Sequence, residues 1–83
     1  MNGIVVAVNR NLGVIVVETE MRKCVVLDAT GLLSLTIGEE LEGDWDSPGE
    51  IIVQNLTSGG QLHVQVQTSN ATLSEAVGSM TVI

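Results

Sequence analysis

Turn-forming residues cut this chain into short apolar runs at close intervals, and no run is long enough to fold by itself. Gly3 to Asn9 and Gly13 to Glu20 are both rich in Val and Ile, with Asn9-Arg10-Asn11 between them. β-Branched runs of that length on either side of a polar turn predict a hairpin. A second turn at Glu20-Met21-Arg22 leads into Lys23 to Asp28, so the first three strands form a meander. Strand side chains alternate between faces. Cys24 and Val26 therefore share one face and Val25 and Leu27 the other, as do Val14 with Val16 and Ile15 with Val17. A strand that is apolar on both faces needs cover on both.

The later segments continue the pattern. Thr30 to Ile37 carries Leu32, Leu33, Leu35 and Ile37 between Gly31 and Gly38, which suits a single helical turn plugging one end of a barrel. Glu40 to Asp46 alternates without a break, placing Leu41, Gly43 and Trp45 on one face and carboxylates on the other. Ser47-Pro48-Gly49-Glu50 fits a type II turn into an extended segment from Ile51 to Leu56, and Ser58-Gly59-Gly60 turns into Gln61 to Gln67. In that last run Leu62, Val64 and Val66 face one way and Gln61, His63, Gln65 and Gln67 the other. Beyond it, Thr72-Leu73-Ser74-Glu75 has the capping-box spacing of a short helix that Gly78 can end. Met80 to Ile83 is an apolar tail expected to pack on the barrel or on another subunit. The chain thus divides into a barrel over 1–67 and a C-terminal extension over 68–83.

Composition narrows the class further. A length of 83 residues allows one domain, which buries only about 60% of its unfolded surface and gains from association. The apolar fraction of 45% is dominated by Val, Ile and Leu, as expected of a folded β protein. The longest apolar run, Ile4 to Val8, falls far short of the ~20 residues of a membrane-spanning helix. No basic stretch precedes a signal-like segment. A cytoplasmic protein without membrane contact is expected. Cys24 is the sole cysteine and lies in an apolar run, which reads as a buried thiol in a reducing compartment. Asn55-Leu56-Thr57 and Asn70-Ala71-Thr72 match the glycosylation sequon by chance.

A meander of three strands, a helical plug and glycine-rich turns describe a small five- to six-stranded all-β barrel of the oligonucleotide/oligosaccharide-binding (OB) type. Over Met1 to Gln67 the chain resembles a cold-shock-type barrel. In that family strand one ends near an Asn, here Asn9. Strand two reads Lys-Gly-aromatic-Gly-aromatic-Ile, where this chain has Leu12-Gly13-Val14-Ile15-Val16-Val17. Strand three reads Val-Phe-Val-His, where this chain has Val25-Val26-Leu27-Asp28. The resemblance implies a nucleic-acid face at Val14, Val16, Val26 and Asp28, yet the stacking rings and the imidazole are replaced. Stacking contributes ~1–3 kcal/mol per base, and a net charge of −7 repels phosphate.

The candidate interaction face comprises Arg10, Val14, Val16, Arg22, Lys23, Val26, Asp28 and Trp45. Val14, Val16 and Val26 form either an outward docking patch or part of an inward core. Trp45 is an interface anchor or a core residue, and its companions Leu41 and Gly43 favour the core. The acidic run Glu39, Glu40, Glu42, Asp44, Asp46 and Glu50 lacks the spacing of a calcium loop and reads as a solvated face, with a basic partner as an alternative. His63 has no second ligand beside it and reads as a surface residue. No nucleophile, phosphate-loop or zinc motif is present, so neither catalysis nor a metal or cofactor is expected. The predicted function is a non-catalytic module that binds protein, copies of itself included, through the Val-rich face or the apolar C-terminus. The alternative is weak single-stranded nucleic-acid binding through Arg10, Arg22, Lys23 and Trp45. A role with a small anionic metabolite has only the barrel shape behind it.

Overall fold

A computed structural model describes residues 1–28, 35–46, 49–72, 75, 76 and 78, with the backbone alone at 69 and 70. The strands are β1 (Asn2–Asn9), β2 (Val14–Thr19), β3 (Cys24–Asp28), β4 (Glu40–Glu42), β5 (Gly49–Asn55) and β6 (Gln61–Ala71). They close into a barrel in the order β1-β2-β3-β6-β5-β4, with β4 paired back to β1. Every pairing is antiparallel. The result is the small all-β barrel expected from the sequence, with a shape compatible with an OB-like barrel.

Local chemistry explains the hairpins. Asn9 Oδ1 accepts the Leu12 N–H at 3.1 Å, and Gly13 closes the β1–β2 turn at φ 69°, a left-handed conformation that glycine adopts without steric cost. In the β2–β3 turn the Thr19 N–H donates to Lys23 O at 2.8 Å and the Arg22 N–H to Thr19 O at 2.9 Å. At the β5–β6 turn the buried Asn55 uses its Oδ1 to accept from the Thr57 and Ser58 N–H groups, both at 2.9 Å. That local bonding satisfies a polar side chain which burial alone would penalise.

The barrel interior is filled by Val5, Ile15, Val17, Val25, Leu27, Leu41, Val53, Val64 and Val66, with a large side chain closing each end. Leu35 enters the core from the β3–β4 connection. Residues 29–34, where most of the helical plug was expected, lie outside the described residues. Ile37, expected to pack with that plug, is instead 68% exposed. The reason is a tight turn in which the Thr36 N–H donates to Glu39 Oε2 at 2.8 Å. The backbone of 38–39 then pairs with Val5, through Gly38 N–H to Val5 O and Val5 N–H to Glu39 O.

Trp45 closes the other end. The strand expected over Glu40 to Asp46 stops at Glu42, after which the Gly43 N–H donates to Met1 O at 2.9 Å and the chain turns the indole inward. Only 1% of Trp45 is exposed. A Cβ built on Gly43 would lie 2.6 Å from Val53 Cγ1 and 3.0 Å from Trp45 Cε3, and one on Gly3 would lie 3.2 Å from Trp45 Cζ2. The indole is therefore clasped between two bare stretches of backbone, and the core reading of Trp45 is the one the structure bears out.

Candidate functional site

The outer surface of β1, β2 and β3 carries a second apolar cluster, separate from the barrel interior. Val14, Val16, Cys24, Val26, Ala71 and Ala76 form it, and Val6 and Ala7 pack against it. Val16 and Val26 are direct cross-strand partners, while the inward-facing pairs on the same two strands are Val17 with Val25 and Ile15 with Leu27. Val16 is 0% and Val26 1% exposed. These valines thus follow neither of the two sequence readings as stated: they point outward, and their own chain covers them.

Three irregularities in the ladders build that cover. Val5 pairs with Val17 and Ala7 with Val16, so Val6 is an extra residue that lets both Val6 and Ala7 reach the outer layer. On β6, Leu27 pairs with Val66 but the adjacent Val26 pairs with Thr68, so Gln67 is inserted and the strand's inward–outward alternation flips. A second insertion between Thr68 and Ala71 brings Ala71 opposite Cys24 on the outer face. Strand β6 therefore runs four residues past Gln67 before the chain folds over the sheet.

A capping box holds the segment that follows. The Glu75 N–H donates to Thr72 Oγ1 at 3.2 Å, the Thr72 N–H donates to Glu75 Oε1 at 3.0 Å, and the Ala76 N–H donates to Thr72 O at 2.9 Å. These bonds to Thr72, its backbone N–H first and its hydroxyl second, hold the Glu75 carboxyl below its ordinary value of 4.5. The turn sets Ala76, fully buried, onto the valine face. Beneath it the Cys24 thiol is pushed above its ordinary value of 9.0, by burial first and by the Glu18 carboxylate second. Residues 73, 74 and 77 and the tail 79–83 lie outside the described residues.

The remaining predicted site residues are not gathered on this face. Arg10 lies at the Leu35 end and donates from Nη2 to Leu35 O at 2.9 Å. Asp28, also at that end, accepts from Gln67 Nε2 at 3.0 Å through Oδ2, while its Oδ1 is buried with no partner among the described residues. Arg22 and Lys23 are exposed in the β2–β3 turn at the Trp45 end. There a cleft of about 410 Å³ is lined by Met1, Thr19, Met21, Lys23, Val25, Trp45 and Asp46. A shallower groove of about 300 Å³ beside it carries Glu18, Glu20 and Glu40 around Ile4.

Part of this was missed by the sequence reading. The double-sided apolar pattern of β2 and β3 demanded an outer cover, and the Thr72–Glu75 spacing marked the turn that supplies it, but nothing in the sequence connected the two. The cleft gave no linear signal because its walls come from three separate stretches of chain: Met1, the alternate residues from Thr19 to Val25, and Trp45-Asp46. His63 lies exposed on β6 opposite Ile52, as a surface residue should. Among the described residues no group of three or more His, Cys, Asp or Glu side chains could hold a metal ion, and no helix is long and apolar enough to cross a membrane. Comparison with known proteins brings no match: no family fits the sequence, and no curated protein or solved structure matches it.

Proposed function

We propose that this protein is a non-catalytic binding module that takes up an apolar chain segment on the outer face of β1-β2-β3, and that a second copy of the chain is its partner. The observation that carries the reading is the burial of Val16 and Val26 outside the barrel, beneath Ala71 and Ala76. A sheet with valines on both faces is unstable in water unless something covers it. The covering segment lies beyond the last strand, joined to the barrel through β6 alone. The contacts it makes within one chain are available between two, and exchange of an identical element is a low-cost route to dimers.

Single-stranded nucleic acid is the weaker reading. The positions that would stack bases in a cold-shock-type barrel are the covered valines, and Arg10 is bonded to the Leu35 carbonyl. The chain sets three basic residues against ten acidic ones.

The test removes residues 72–83 and measures mass by light scattering across a concentration series. The expected result is a dimer, or a monomer that binds the 72–83 peptide added in trans. The same peptide carrying Ala76→Glu is expected not to bind, because the glutamate would have to be buried against the valine face. A folded truncated chain that stays monomeric and ignores the peptide would overturn the proposal. So would salt-sensitive amide shifts at Arg10–Val16 and Arg22–Asp28 on titration with single-stranded RNA or DNA, which would return the face to nucleic acid.

A further inference from the structure

We infer that the cleft at the Trp45 end of the barrel is a second binding site, one that takes a compact apolar molecule bearing a single carboxylate. It opens at the Trp45 end rather than on the valine face, and the two are linked through Lys23, whose charge also acts on the Glu75 carboxylate of the turn that covers that face.

The cleft is the right size. Its volume of about 410 Å³ falls inside the ~300–1,000 Å³ typical of small-molecule sites. Its floor is apolar and rigid, since Val25 and Trp45 are both core residues held by the barrel. Its sides are apolar and adaptable, because Met1 is 46% and Met21 81% exposed, and thioether side chains repack readily around a guest.

Two donors set the polar end of the guest. Trp45 contributes to the lining, and its Nε1 is buried with no hydrogen-bond partner among the described residues. Leaving such a group unpaired is costly, so buried indole N–H groups normally have an acceptor. Lys23 supplies the second donor, as a cation on the rim, with Arg22 next to it in the same turn. Two of the three basic residues in the chain therefore stand at this one end of a protein with net charge −7. A carboxylate is the acceptor that answers both an N–H and an ammonium. Against it stand Asp46 in the lining and Glu18, Glu20 and Glu40 in the adjoining groove, whose repulsion limits the affinity and favours one carboxylate over two.

The experiment follows the indole Nε1–H resonance, unique because Trp45 is the only tryptophan. The full chain is titrated with phenylacetate, with phenethyl alcohol and phenethylamine as neutral and cationic counterparts. The proposal expects a saturable shift of the indole resonance and of the Lys23 and Val25 amides with phenylacetate, and a weaker response to the alcohol. Lys23→Gln is expected to weaken binding about three- to ten-fold, and Asp46→Asn to tighten it by a similar factor. Both residues are exposed, so the fold should survive either change, which the amide spectrum checks directly.

A peptide ending in phenylalanine and its C-terminal amide separate the two sources of such a carboxylate. Binding of phenylacetate supports the free small molecule. A response confined to the free-carboxylate peptide overturns it in favour of a protein C-terminus. No saturable shift by about 10 mM phenylacetate, or equal responses to acid, alcohol and amine, overturns the site as described.

Discussion

Gly43 shows how little space separates a workable sequence from a strained one. A Cβ there meets Val53 at 2.6 Å and the Trp45 ring at 3.0 Å, and both are anchored in the core, so neither can yield cheaply. Gly43→Ala is expected to destabilise the barrel by about 1–3 kcal/mol, as overpacking does, read as a lower urea midpoint followed by Trp45 fluorescence. Gly78→Ala, where a Cβ meets nothing within 4 Å, should be neutral or stabilise by up to about 1 kcal/mol. The sequence made this pairing legible, because Gly43 and Trp45 share a face of an alternating segment. It did not show that the strand itself would end at Glu42. Alternation records which residues face the core, whereas the end of the strand depends on the Gly43 N–H finding Met1 O, a partner from the far end of the chain.

Among the elements, the capped turn after β6 is the part whose stability can be tuned apart from the barrel. Thr72→Ala removes the hydroxyl that accepts the Glu75 N–H, and is expected to cost about 1 kcal/mol, measured by urea unfolding. The Glu75 carboxyl has a lowered folded pKa, so its contribution is complete above its ordinary value of 4.5 and is lost as pH falls through the depressed value. Glu75→Gln should accordingly unfold at lower urea than the parent at neutral pH, and the gap should close as pH falls below that ordinary value.

Cys24 reports on the same turn. Buried and free, it is expected to react slowly with a disulfide reagent in the parent and at least about ten-fold faster in Ala76→Glu, where the cover is loosened. The hairpins of β1, β2 and β3 were readable from β-branched runs and turn residues. The two insertions in β6 were not, because the Gln67-Thr68-Ser69-Asn70 stretch is polar throughout and its register depends on pairing with β3.

For the whole molecule, charge and closure act in opposite directions. Ten acidic residues against three basic ones leave a net charge of −7 on a particle with a radius of gyration of 11.1 Å. Self-repulsion should weaken the folded state at low ionic strength. Raising NaCl from about 10 mM, where the Debye length is ~30 Å, to about 0.5 M is expected to raise Tm by a few degrees; a fall in Tm would mean that attractive charge pairs dominate instead.

Closure has a different consequence, which follows from the two separate apolar clusters. Strands β5 and β6 keep one wet face, so every second position there can change its side chain freely. Over Val14–Val17 and Cys24–Leu27 each residue is buried on one side of the sheet or the other. In a saturation-substitution library, tolerance along β5 should rise and fall with a period of two. Along β2 and β3 it should stay uniformly low, leaving those eight neighbouring positions with almost no freedom to drift.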